Sequence, residues 1–228
     1  YKQGRVFKEV VVAQDAELKR KLRVPKQLPS LAPPAEYDDV RIIVYSLVKQ
    51  TSIKKTPDLS ELAIGALTPA AKFEFAKAYI NKEILSAEMT KTVLVDVRGL
   101  TKGKGFEGAV PRFGISLKSH KSEKGVRRPG SLGPWHPARV TFRTPQAGQL
   151  GMFSRVHYNV NIISRGTIAE KNINPSSGFK HYGCIRTSYI LVKGSVQGPS
   201  KRQLLLTPAF RPKREQLKKK YEFLEVLV

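Results

Sequence analysis

Cysteine is nearly absent: the 228 residues hold one, Cys184. A lone cysteine excludes an intramolecular disulfide framework and any multi-cysteine zinc site, and it fits a reducing cytosolic compartment. Long apolar runs are missing too. None approaches a membrane span, and the basic stretches lack a hydrophobic face, so no membrane partner is expected. The four histidines, His120, His136, His157 and His181, show no metal-ligand spacing. No Ser–His–Asp or paired-carboxylate arrangement stands out, so catalysis has no visible machinery. No signal peptide and no initiator methionine stands at Tyr1, which reads as a chain without its natural N-terminus. Acids are the scarcest common class, with 18 against 41 lysines and arginines.

That imbalance gives a formal charge of +23 and a pI near 10.2. A folded chain so charged repels itself and calls for a polyanion. Nucleic acid fits best, because cations that neutralise phosphates release counterions. The excess is uneven. Residues 1–97 carry 16 basic and 12 acidic groups, whereas residues 98–155 carry 12 and 2, and residues 193–220 carry 9 and 1. Two such runs in one chain point to a phosphate-contacting surface rather than a solvated face. At 40% hydrophobic residues, the composition still supports a real core.

Short β-branched runs predict strands at Arg5–Ala13, Arg41–Val48, Val93–Val97, Val160–Ser164, Tyr189–Val192 and Gln203–Leu206. Thr68 can cap a helix with Pro69 in its first turn, and Phe73, Ala76, Ile80 and Ile84 recur at roughly helical spacing. Weaker helical spacing covers Asp15–Leu22, followed by a connector with Pro25, Pro29, Pro33 and Pro34. Residues 98–155 are different. Ten glycines and five prolines break every periodicity, yet Phe106, Phe113, Leu117, Leu132, Trp135, Val140, Phe142, Met152 and Phe153 are too many large apolar groups for a solvated linker. A segment at once basic and aromatic is expected to be ordered by its partner.

Three motifs bear on function. Gly103-Lys104-Gly105-Phe106-Glu107-Gly108 matches a dinucleotide fingerprint after a strand, but Pro111 and Gly114 follow where a helix should run. Its glycines more plainly allow close backbone approach to a phosphate or sugar edge. Gly194–Lys201 lacks Walker spacing and reads either as a tight loop setting Lys201 and Arg202 on a phosphate or as a solvated hairpin turn. Trp135, the one tryptophan, stands on a proline-bounded turn, where a core anchor and an RNA stacking contact are equally open. Other classes stay in view: a nucleotide-dependent enzyme using the glycine-rich loop, and a DNA-compacting chromatin protein.

Four stretches then carry a specific resemblance: Val97–Gly114 (VRGLTKGKGFEGAVPRFG), Gly130–Val140 (GSLGPWHPARV), Pro145–Gly151 (PQAGQLG) and Val192–Leu206 (VKGSVQGPSKRQLLL). They resemble universal large-subunit ribosomal protein three, in its archaeal type. Tyr1–Val10 is similar to a family strand, and Gly178–Gly183 to its glycine-aromatic turn. The sequence departs from the family in three places. Phe113 stands at a usual tryptophan, Met152-Phe153 at a usual Tyr-His pair, and Glu123 where eukaryotic members have histidine. The family's N-terminal basic arm and first barrel strands are missing before Tyr1.

The resemblance implies a mainly β chain, a six-stranded Greek-key barrel of the translation-protein type, incomplete here, with a helical insertion and a long basic extension. Residues 1–14 would be a barrel strand, 15–90 the insertion, 91–97 a strand, 98–158 the rRNA-penetrating extension, 159–207 barrel strands and 208–228 a basic tail. It further implies a non-enzymatic constituent of the large subunit that binds large-subunit rRNA, supports assembly and reaches towards the peptidyl transferase centre with Trp135 near its tip. Phosphates would meet Lys102, Lys104, Arg112, Lys118, Lys121, Lys124, Arg127, Arg128, Arg139, Arg143, Arg155, Lys201, Arg202, Arg211, Lys213 and Arg214. Trp135, His136 and Gln149 complete the RNA-facing set, with Gly103, Gly105, Gly108 and Gly133 as points of close backbone approach. Neighbouring ribosomal proteins are the other expected partners. No small-molecule substrate, homo-oligomer or cofactor is expected beyond magnesium that accompanies rRNA.

Overall fold

The computed structural model describes residues 1–27, 29–33, 36–65, 68–84 and 92–226. In chain order the strands are β1 (Arg41–Tyr45), β2 (Leu59–Ala63), β3 (Leu94–Leu100), β4 (Gly105–Glu107), β5 (Gly148–Leu150), β6 (Ser154–Thr167), β7 (Ser188–Val192) and β8 (Leu205–Pro208). Helices are few and short: α1 (Val48–Thr51), α2 (Pro69–Ala78), α3 (Ala109–Phe113) and α4 (Arg214–Leu217). The chain is mainly β, as expected. It forms two compact units, one of Tyr1–Val93, Ile162–Lys193 and Lys218–Val228, the other of Leu94–Asn161 and Gly194–Leu217.

In the first unit β1 and β2 pair antiparallel, from Arg41 opposite Ala63 to Tyr45 opposite Leu59. The strand expected to reach Val48 stops at Tyr45. There the Ser46 amide donates to the Asp58 carbonyl at 3.0 Å and the Asp58 amide to the Ser46 hydroxyl at 2.9 Å, which closes the ladder. Val48 then turns into α1 and is buried. No strand forms at Arg5–Ala13. Beyond a Lys2–Arg5 bridge these residues have no ladder, since β-branching favours extended backbone but an adjacent edge must supply the hydrogen bonds. The Asp15–Leu22 helix shrinks to a 3-10 turn at Leu18–Arg20, with Leu18 alone buried, too little apolar face to repay helix nucleation.

α2 starts as its sequence dictates. The Thr68 hydroxyl accepts the Ala71 amide at 3.3 Å, and Pro69 occupies the first turn, where its missing N–H costs nothing. It ends at Ala78 rather than reaching Ile84, because Asn81 adopts a left-handed conformation at φ 58°. Bonded to Lys72 at 2.6 Å and to Arg41, the Asp39 carboxyl is held below the ordinary aspartate range. Further along, the Asn174 amide clips Ile185 in both directions, at 2.8 and 2.7 Å. The glycine-aromatic turn closes through a Phe179–Gly183 bridge, with Gly178 and Gly183 both at positive φ. Pro34, the last six residues of the expected insertion, Lys91 at the head of the expected 91–97 strand and the last two residues of the tail lie outside the described residues.

The second unit is organised by β3, whose Leu94, Val95 and Val97 are each at most 2% exposed. β8 pairs with one edge of β3 and the first half of β6 with the other, both antiparallel. β8 begins two residues later than expected. Much longer than the Val160–Ser164 run that announced it, β6 continues from Ile162 into the first unit to pair with β7. A bulge interrupts β6 opposite Asp96, and Asn159 sits in it at φ 57°. Asp96 is 1% exposed and accepts the Asn159 amide at 2.9 Å and the Phe210 amide at 3.4 Å. Each donor left without an acceptor inside a core costs about 1–3 kcal/mol. Asp96→Ala is therefore expected to destabilise this unit by at least ~2 kcal/mol. Asp96→Asn, which keeps one acceptor oxygen, should cost less. Urea unfolding of both variants checks this, and equal stability of alanine variant and parent would refute the pinning role.

Candidate nucleic-acid interface

Between β3 and β6 the chain leaves the sheet as an arm. Its neck is a small ladder, with β4 and β5 paired from Gly105 opposite Leu150 to Glu107 opposite Gly148. Below the ladder the Thr101 amide donates to the Phe153 carbonyl at 3.0 Å and the Phe153 amide to the Thr101 hydroxyl at 3.1 Å. The short helix α3 follows β4 and ends on Gly114 at φ +67°. Sequence reasoning placed no helix there because of Pro111. That proline occupies the first turn, where an amide would have no intrahelical acceptor anyway. The dinucleotide reading still fails, now for a geometric reason: Gly105–Glu107 is a paired strand, not the tight turn between strand and helix that cradles a pyrophosphate.

From residue 115 to 147 the arm has no helix or strand. Its few internal ties include the Lys118 amide on the Val126 carbonyl at 3.2 Å and the Thr144 hydroxyl on the Leu132 carbonyl at 3.0 Å. Every residue from 131 to 143 is exposed. Trp135 is 88% and Phe142 93% exposed, which removes Trp135 from the core of this chain. Exposed aromatics this large are costly in water unless something covers them. Arg143 lies over the Phe142 ring at 5.8 Å, and Arg155 over Phe153 at 5.2 Å.

All the residues expected to meet RNA lie in the second unit. Lys102, Lys104, Lys118, Lys121, Lys124, Arg127, Arg128, Trp135, His136, Arg139, Arg143, Gln149, Arg155, Lys201, Arg211, Lys213 and Arg214 are exposed. Arg112 and Arg202 are half-buried, and both have partners within the chain. Arg112 donates to the Gln149 and Gln146 carbonyls at 3.1 and 2.9 Å. Arg202 reaches the Met152 sulfur at 3.8 Å, so the methionine that departs from the family pattern has a packing role. Gln149 turns its side-chain amide onto the Leu150 and Gly151 carbonyls, at 3.1 and 3.3 Å. Among the glycines, Gly105, Gly108 and Gly133 face open space, whereas a Cβ at Gly103 would meet the Met152 side chain at 2.9 Å. Close packing inside the chain thus explains Gly103 without a ligand.

The Gly194–Lys201 loop is tied down rather than solvated. The Gln197 side chain donates to the Val97 and Arg155 carbonyls at 2.9 and 3.0 Å, bridging the backbones of β3 and β6. This tie was invisible in the sequence, where Gln197 is an unremarked loop residue. Lys201 is left exposed at φ 67°.

Electrostatics separates the units. The second unit carries 17 lysines and arginines against four acids, Asp96, Glu107, Glu123 and Glu215. Five ion pairs occur among the described residues, and all lie in the first unit. Among the described residues the cations of the second unit thus have no carboxylate partner. None of the RNA-facing residues lines the apolar cavity of about 310 Å³ in the first unit, walled by Phe7, Val10, Ile42 and Phe73 among others. Among the described residues no three of His, Cys, Asp and Glu gather as metal ligands, and no helix is long and apolar enough to cross a membrane.

Comparison with known proteins matches residues 4–225 to the family model described as ribosomal protein L3. The chain belongs to this family. Its curated relatives include the large ribosomal subunit protein uL3 of Methanothermobacter thermautotrophicus, 42% identical over 78% of this chain and 54% of that protein. The protein of the same name in Methanocaldococcus jannaschii is 39% identical over 90% of this chain and 64% of its own length. The Thermoplasma acidophilum protein is 39% identical over 96% and 69%. These relatives are archaeal, in keeping with the archaeal type of the sequence. The chain spans between about half and two-thirds of the length of the first two.

Proposed function

We propose that this chain is a structural, non-enzymatic constituent of the large ribosomal subunit, held there by large-subunit rRNA. The observation that carries the reading is the second unit's 17 lysines and arginines, none in an ion pair among the described residues, together with an arm of bare aromatics. Cations without a carboxylate partner gain most from phosphates, and bases offer π-faces to Trp135 and Phe142. In this reading residues 98–158 are the extension that enters folded rRNA near the peptidyl transferase centre. Residues 15–90 are an insertion, and β3, β6, β7 and β8 belong to a translation-protein-type barrel. Neighbouring large-subunit proteins are its other contacts, its place is the cytoplasmic ribosome, and it acts as one copy per subunit. Any magnesium near it accompanies the rRNA.

The salt dependence of binding tests the reading. Affinity of the full chain for large-subunit rRNA should fall steeply with salt, and Lys121→Ala or Arg127→Ala should flatten that slope by about one phosphate equivalent each. Unchanged slopes across the arm would remove the phosphate assignment. Equal affinity for duplex DNA at matched salt would favour a DNA-compacting protein instead. Retention on the large subunit through a high-salt wash is expected.

A further inference from the structure

The neck of the arm holds one cation that points inwards. Arg112 sits on α3, and its guanidinium reaches across 34 and 37 residues of chain to the carbonyls of Gln146 and Gln149. Nε donates to the Gln149 carbonyl and Nη1 to the Gln146 carbonyl, so a single planar fork ties the outgoing limb of the arm to the returning limb. The returning limb is shaped for it: an ideal Cβ on Gly148 would lie 2.8 Å from the guanidinium carbon. On the same limb Gly148 pairs with Glu107 of β4, so clamp and ladder share their residues. Arg112 also stacks over the Phe113 ring at 5.1 Å, which fixes the plane of the fork.

We infer that Arg112 is a positioning residue that locks the neck and so sets the direction in which the arm leaves the sheet. It is not one of the phosphate contacts. The inference rests on the rRNA reading for its purpose, but the lock itself is a property of the free chain. A lysine keeps the charge and cannot fork to both carbonyls. Alanine at Gly148 keeps Arg112 whole and displaces its flexible end.

Amide hydrogen exchange of the free full-length chain, paired with rRNA binding across salt, tests this with Arg112→Lys, Arg112→Ala and Gly148→Ala. All three are expected to speed exchange at the Lys104, Gly105 and Glu107 amides at least tenfold while β3 stays protected. The lysine and Gly148 variants should bind rRNA about tenfold more weakly with the parent salt slope. If Arg112→Lys keeps the parent's exchange and affinity, Arg112 is only a charge and the inference is overturned. A silent Gly148→Ala overturns it equally. Should Arg112→Ala unfold β3 as well, the other two variants decide. Should the parent fail to bind rRNA, exchange still judges the lock, and only the functional reading falls.

Discussion

Gly151→Ala is expected to open the neck and cost about 3–4 kcal/mol, summing a left-handed penalty of roughly 1–2 kcal/mol with about 1 kcal/mol for each of two neighbouring hydrogen bonds lost. Gly151 lies at φ +78°, and an ideal Cβ there would stand 2.0 Å from the Lys102 carbonyl oxygen. The next nearest atoms, at 2.9 and 3.0 Å, are also backbone, so no side chain can swing away to relieve the clash. Relief must come from moving the main chain where the Thr101 amide meets the Phe153 carbonyl and the Lys104 amide meets the Leu150 carbonyl. Gly105→Ala is the matched control. Its φ is +73°, but nothing lies within 4 Å of the added atom, so only the backbone penalty of roughly 1–2 kcal/mol remains. Amide exchange along β3 and β4 reads both variants. Equal losses would mean that conformation alone, and not the close crossing of the two limbs, fixes Gly151.

A candidate interface can be proposed from sequence because charge is a property of each residue. Lysines and arginines concentrate in residues 98–155 and 193–220, and 17 of the 19 residues expected to meet RNA are exposed. Arg112 escaped that reasoning because its partners are carbonyls more than 30 residues away, and a carbonyl leaves no mark in the sequence. Trp135 was undecidable for a related reason. Burial is set by what the fold brings near, and nothing local says that the fold brings nothing.

Secondary structure followed the same division. α2 carried its own cap and first-turn proline, so its start was readable, whereas its end depended on Asn81 turning left-handed. β3 and β7 were readable from β-branched runs. Arg5–Ala13 has an equally good run and no neighbouring edge, and so no strand. β4 and β5 are three residues each and contain glycine, with no propensity of their own. They exist because the crossing at Gly151 and the Arg112 fork bring the limbs together. Tertiary contact makes these elements, and composition hides them.

The double change Trp135→Ala with Phe142→Ala should leave folding stability within about 0.5 kcal/mol of the parent, as substitutions at exposed positions usually do. Both rings are about nine-tenths exposed, so truncation removes no packing inside the chain. Against rRNA the expectation reverses. A base stacked on an aromatic ring contributes about 1–3 kcal/mol, so each single change should weaken binding roughly 5- to 150-fold and the pair more. The salt slope should stay that of the parent, since no phosphate contact is lost, and this separates the aromatics from Lys121 and Arg127. Trp135→Phe should recover part of the loss, as a smaller π-face still stacks. A melting point that drops with Trp135→Ala in the free chain would instead make Trp135 an anchor of the fold. Unchanged affinity in the double variant would leave the arm a purely electrostatic tether, with aromatics that meet nothing in the RNA.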